Sequence, residues 1–113
     1  MIFESLSQEI NVLHAEIYSA LGDPSRLLIL CALNEKPKNV SDLATELGLN
    51  QPTVSRHLGI LKQGGLVVAR QEGLSVLYKI QNEDMAQFLQ KLTELLRRKL
   101  QVDQDLLKSV EGL

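Results

Sequence analysis

The sequence contains a single cysteine, Cys31, so no internal disulfide can form, and a reducing cytoplasm is the simple expectation. It has no apolar run long enough to span a bilayer. Its first residues, MIFESLSQEI, carry acids early and lack a basic start, so they do not read as a secretory signal. No internal repeat, low-complexity tract or linker is present. There is also no paired-carboxylate pocket, no Cys/His/Asp or Ser/His/Asp arrangement and no glycine-rich phosphate loop. The two glycines after Gln63 read as a helix stop. No enzyme is expected from these residues. The stretch LNQPTVSRHLGILKQGGLV, from Leu49 to Val67, lacks any acidic residue. That absence is the first pointer to function.

What is present fits one globular domain over residues 1–113, with 44% apolar and 23% charged residues and room for a modest core. The net charge is -2, but it is unevenly spread. Between Asn50 and Ile80 the bases Arg56, Lys62, Arg70 and Lys79 face the single acid Glu72, a local charge of +3 against -5 for the remainder. An acidic body with one basic segment suits a phosphate backbone. It also occurs as an ordinary surface feature.

Apolar periodicity gives the elements. Phe3, Leu6, Ile10, Leu13, Ile17 and Leu21 recur at steps of three and four, one stripe of an amphipathic helix over about residues 3–21. Gly22 stops it. Asp23 then caps a second helix with Pro24 at its first position, and Leu27, Leu28, Leu30, Cys31 and Leu33 make that helix central. NEKPKN reads as a polar loop. Asn39 caps a short third helix, Gly48 ends it in a left-handed conformation, and Asn50 caps a fourth. Two short helices joined by GLN make a helix-turn-helix over about residues 40–64. LVVAR and SVLYKI, separated by QEGL with Gly73 in the turn, form a hairpin over about 66–80. From Asn82 to about residue 110 helical spacing returns, marked by Met85, Phe88, Leu89, Leu92, Leu96, Leu100, Leu106, Leu107 and Val110.

The fold class is therefore mainly α with a small β-hairpin: a winged helix-turn-helix with flanking N- and C-terminal dimerisation helices. Its core is expected around Leu28, Leu43, Leu47, Val54, Leu58 and Leu61. The outer helices carry more apolar stripe than that core can cover, and a second copy of the chain is the expected cover, giving a homodimer.

On a helical wheel with Val54 toward the core, Leu58 and Leu61 fall beside it. Pro52, Ser55, Arg56, Gly59 and Gln63 fall opposite, on a face that is small except for Arg56. Small residues let a helix sit deep in the major groove. Arg56 can donate a bidentate pair to guanine, Ser55 can meet a base edge or phosphate, Gln51 can reach adenine or phosphate, and Thr53 offers a hydroxyl and a methyl. The helix N-terminus favours phosphate. Taken alone, the helix is equally a solvated surface with an incidental arginine; its place inside a winged helix favours DNA. His57 lies beside the apolar edge, as a packed histidine or a phosphate contact, and one histidine supplies no metal site by itself. His14 stands alone on the first helix.

LGDPSRLLIL, VSDLATELGLNQPTVSRHLGILKQGGLV and the R-x-E-G-x-x-x-x-Y run from Arg70 to Tyr78 resemble the ArsR/SmtB family of bacterial winged-helix repressors, from about Ala15 to the end of the last helix. The resemblance implies a homodimer built on the outer helices, repression of operons, and release of DNA when an inducer binds. It places Gln51, Pro52, Ser55 and Arg56 in the groove, and Arg70 with the QEGL tip along the backbone or minor groove. The Cys-x-Cys pair of metal-sensing relatives is replaced here by Asn39 and Ser41, and no histidine follows Asn82, so neither usual metal site is implied. Redox-sensing relatives use a cysteine on the second helix and another on the last. Cys31 stands near the first position and the second is missing. An inert buried thiol and a redox-responsive one both remain open for Cys31.

The expected function is that of a cytoplasmic homodimer that reads a double-stranded DNA operator and represses transcription. DNA contacts are expected from Gln51, Pro52, Thr53, Ser55, Arg56, His57, Lys62 and Arg70. No cofactor and no membrane partner are expected, and the inducer, a small molecule or a redox signal, is open. The rivals are a winged-helix module that docks a protein and a DNA-binding regulator without ligand.

Overall fold

A computed structural model describes residues 22–111, together with 2, 4–6, 8, 18 and 19. Most of the expected helix over 3–21, His14 included, lies outside the described residues, as do the side chains of Leu107 and Val110. The described residues 4–6, 8, 18 and 19 are helical.

Helix α1 runs Pro24–Glu35. Asp23 caps it by accepting the Arg26 N–H at 3.1 Å, and Pro24 occupies a first-turn position where its missing N–H costs nothing. The helix stops at Lys36, which is extended (φ -168) because the following Pro37 excludes helical backbone there. Helix α2, Val40–Leu47, starts on Asn39, whose side chain accepts the Asp42 N–H at 2.8 Å. It ends at Gly48, where φ is 68, a conformation that favours glycine. Only Leu49 and Asn50 separate it from α3, Gln51–Gln63, which Asn50 caps through the Thr53 N–H at 2.8 Å.

The wing is an antiparallel pair, β1 Val67–Glu72 and β2 Ser75–Ile80, in register from Val67 opposite Ile80 to Glu72 opposite Ser75. The turn is therefore shorter than QEGL. Gln71 and Glu72 belong to the strand, and Gly73 and Leu74 alone make the turn. Gly73 has φ 60 while no non-glycine residue has positive φ, the pattern of a type II′ hairpin. Helix α4, Glu83–Glu111, begins at Asn82, which accepts the Met85 N–H at 2.8 Å, with Glu83 and Asp84 at the positive end of the helix dipole.

The loop expected to be merely polar is tied into the sheet. Lys38 and Tyr78 exchange backbone hydrogen bonds of 3.1 and 2.9 Å, so Lys38 extends the wing by one bridge. Its side chain is buried, and Nζ bonds both carboxylate oxygens of Glu46 at 2.7 and 2.8 Å. A long lysine stem can be buried when its ammonium finds a carboxylate, and that partner comes from a different element.

Buried side chains from all six elements except β2 form one cluster: Ile29, Leu30 and Leu33 of α1, Leu43 of α2, Val54, Leu58 and Leu61 of α3, Leu66 and Val67 leading into the wing, and Leu89 of α4. Two of the expected core residues differ. Leu28 is 52% exposed and Leu47 is only half-buried. Helix α1 is apolar nearly all round, so composition could not select its inward face; Ile29, Leu30 and Leu33 turn in and Leu28 turns out. On α4 the core uses only the first three turns. Every described side chain from Leu95 to Leu106 is exposed, including Leu95, Leu96, Leu100, Val102 and Leu106.

Candidate nucleic-acid interface

Helix α3 is fixed from behind. Val54, Leu58 and Leu61 are each no more than 1% exposed, so its rotation about its own axis is set by the core. At about 100° per residue the opposite side then presents Pro52, Arg56, Gly59 and Gln63, flanked by Gln51, Ser55 and Lys62. All seven are exposed. Thr53 is half-buried at the edge of this surface. Ile60, also exposed, adds an apolar patch that periodicity did not single out.

Gly59 is informative. It costs about 1 kcal/mol relative to alanine in a helix interior. A Cβ built there meets nothing within 4 Å, so no internal contact requires glycine. A bare backbone on an exposed helical face is what a close-fitting partner needs. The same surface has a pair of free peptide N–H groups at its N-terminal turn, where Pro52 removes a third donor.

His57 does not belong to this surface, contrary to its expected place among the DNA contacts. It is only 5% exposed, turned toward α1, with Nδ1 3.3 Å from an Arg26 guanidinium nitrogen. The guanidinium is always protonated, so Nδ1 accepts and Nε2 carries the ring proton. Burial lowers the His57 pKa below its ordinary value; Arg26 and Arg56 lower it further, and the Asp23 carboxylate partly opposes them. The imidazole is therefore neutral near pH 7. Arg26 also donates to the Ser19 carbonyl at 2.9 Å and the Ser19 hydroxyl at 3.3 Å, and lies 3.7 Å from Asp23. The Arg26 N–H bond to the Asp23 carboxylate holds that group below the usual carboxylate range, against a smaller effect of burial. Arg26 thus joins the segment before α1 to the recognition helix. Sequence reading missed it, because its partners lie 7 and 31 residues away.

The wing follows directly from the C-terminal end of α3. Arg70 is exposed and forms an ion pair with Glu72 two residues on, on the same face of β1. Its charge is therefore partly spent within the wing. Lys79 and Ser75 share that outer face, while Val67, Ala69, Tyr78 and Ile80 share the inner one.

Cys31 is half-buried and sits against α4, with the Thr93 hydroxyl 3.7 Å from Sγ. It lines a cleft of about 360 Å³ between α1, α2 and α4, together with Leu28, Asn34, Leu47, Thr93 and Arg97. The thiol is thus not sealed in the core. Among the described residues, no three of histidine, cysteine, aspartate and glutamate gather as metal ligands would, and no helix is long and apolar enough to cross a membrane.

Comparison with known proteins agrees with this arrangement. Residues 23–68, which hold α1, α2, α3 and the start of the wing, match the family model described as bacterial regulatory protein, arsR family. An uncharacterized HTH-type transcriptional regulator of Methanocaldococcus jannaschii is 43% identical over 82 residues, covering 72% of this chain and 92% of that protein. Among solved structures, a homodimeric winged helix-turn-helix DNA-binding domain from Mycobacterium bovis, a possible ArsR-family regulator, superposes with a TM-score of 0.72 at 34% identity, covering 83% of this chain and 87% of that one. The transcriptional repressor BigR of Xylella fastidiosa gives 0.72 at 29% identity, covering 84% and 96%. With its helix-turn-helix, wing and this degree of identity, the chain belongs to the arsR family of bacterial regulatory proteins and is a winged helix-turn-helix transcriptional regulator, not an enzyme.

Proposed function

We propose that the protein acts in the cytoplasm as a homodimeric repressor, one winged-helix domain per protomer, on an imperfect inverted-repeat operator. The observation that carries this reading is the exposed face of α3: Gln51, Pro52, Ser55, Arg56 and Gly59 stand together on a helix whose opposite side is locked into the core. Arg56 reads guanine through O6 and N7. Gln51 and Ser55 meet base edges or phosphates, Thr53 contributes from the edge, and Gly59 and Pro52 let the helix sit close to the groove floor. Lys62 and the part of Arg70 not held by Glu72 meet the backbone.

The second protomer is called for by the apolar residues that one chain leaves bare. Phe88, Leu95 and Val102 recur every seven residues along α4, with Leu96, Leu100 and Leu106 beside them and Leu28 on α1. Homodimeric structure in the Mycobacterium bovis relative supports the same assembly. Two recognition helices about 34–36 Å apart then enter successive major grooves. Release by a small-molecule or redox signal acts through the outer helices, which set that separation.

The test is selection of sites from a random duplex library with reduced, metal-free protein. Enrichment of a two-fold-symmetric site supports operator reading and gives the half-site spacing. No enrichment at low salt from folded dimer refutes it.

A further inference from the structure

The tip of the wing has an unusual chemistry for a DNA contact. From Gln71 to Ser75 it contains no basic residue and one acid, Glu72, which is already paired with Arg70. Phosphate neutralisation is therefore not what the tip offers. The Gln71 amide is also engaged, donating to the Gly73 carbonyl at 2.9 Å. That bond and the type II′ turn hold the loop in one shape. Its outermost side chain is Leu74, which is fully exposed at 105% and packs on nothing. A single exposed leucine on a protein surface is ordinary. This one stands at the end of a two-residue turn held by a side-chain clamp, on an element that follows directly from the recognition helix, where an apolar side chain adds nothing to the fold.

We infer that Leu74 is an apolar probe of the minor groove, a specificity-determining residue of the wing. This rests on the operator-binding reading above. The minor groove has apolar sugar walls and a floor whose polar pattern is nearly the same for A·T and T·A, and proteins enter it with aliphatic wedges. Leu74 reaches that floor where guanine N2 amino groups are absent. The wing thereby favours A·T pairs at the flank of each half-site without a hydrogen bond to any base, and its contribution does not depend on salt.

The experiment measures binding of intact dimer to its selected operator by fluorescence anisotropy over a series of salt concentrations. Wild type, Leu74→Ser, Leu74→Met and Arg56→Ala are compared. Failure of the wild type to bind overturns the operator reading itself. With wild-type binding in hand, Leu74→Ser is expected to lose about tenfold in affinity, the scale of leaving a leucine side chain partly in water, with an unchanged salt slope. Leu74→Met is expected to stay within about twofold, since it keeps the apolar bulk. Putting inosine for guanine at G·C pairs flanking the half-site removes only the minor-groove amino group, and it is expected to raise wild-type affinity but not that of Leu74→Ser. Equal binding by Leu74→Ser and wild type overturns the proposal and leaves operator reading intact. So does a loss that comes with a shallower salt slope, which would signal a lost phosphate contact. Because Leu74 touches nothing in the fold, neither variant is expected to unfold.

Discussion

Arg26→Ala removes the side chain that connects three parts of the structure. Its largest effect falls on His57. The ring is 5% exposed and Nδ1 has the Arg26 guanidinium as its donor, so the variant leaves a buried acceptor unpaired. Such a loss costs about 1–3 kcal/mol. The bonds to Ser19 are at an exposed site and the Asp23 pair is 3.7 Å long, so together they add about 1 kcal/mol at most. Against this, Arg26 Nε is buried without a partner, and removing it recovers part of the loss. The net expectation is about 2 kcal/mol of lost stability. Urea unfolding at fixed protomer concentration measures it, the fixed concentration being needed because a dimer's stability depends on it. Arg26→Lys can reach His57 or Ser19 but cannot fork to both, so it is expected to fall between wild type and Arg26→Ala. A change below about 0.5 kcal/mol for Arg26→Ala would refute the reasoning, since effects of that size are typical of unconnected surface positions.

Four further outcomes are expected. His57 has a folded-state pKa below its unfolded value, so the folded protein binds its proton later; the resulting stability is full above about pH 6.5 and is lost as the pH falls through that value toward the folded pKa. His57→Gln is expected to flatten the unfolding curve over that window relative to wild type, and parallel curves would rule out His57 as the source. Gly59→Ala is expected to stabilise α3 by about 0.5–1 kcal/mol, because its Cβ meets nothing, and yet to weaken operator binding; gain in both melting and binding would remove Gly59 from the interface. Arg56→Ala is expected to cost about 1–3 kcal/mol in specific binding and to relax one base position in a repeated site selection, with folding unchanged. Glu46→Gln leaves the buried Lys38 ammonium without its carboxylate partner, and since Glu46 is itself partly solvated at 44% the expected loss is about 1–2 kcal/mol by chemical denaturation.

Much of the architecture was legible because its signals are local. Asp23, Asn39, Asn50 and Asn82 each cap a helix with a side chain that reaches three residues forward, and the sequence shows each one next to the apolar run it opens. Gly48 and Gly73 mark positive φ where other residues are strained. The exposed face of α3 was legible for the same reason: once Val54 is placed inward, 3.6 residues per turn decide the rest.

Other features needed the tertiary fold. Nothing local distinguishes Leu28 from Ile29 or Leu30; only the positions of α3 and α4 around α1 decide which of them is covered. His57 carries the same polar label as Arg56, but it meets α1, and a neutral ring accepting from Arg26 is a fact about two helices rather than about one helix. Lys38 looks like loop and is buried because Glu46 and Tyr78 arrive from elsewhere. Periodicity, capping and turn chemistry are properties of the chain within about one helical turn, so the amino-acid order alone determined the elements, their ends and the helix-turn-helix. Burial and ion pairing depend on which surfaces meet across the core, so the three-dimensional packing alone decided where Arg26, Lys38, Leu28 and His57 spend their side chains.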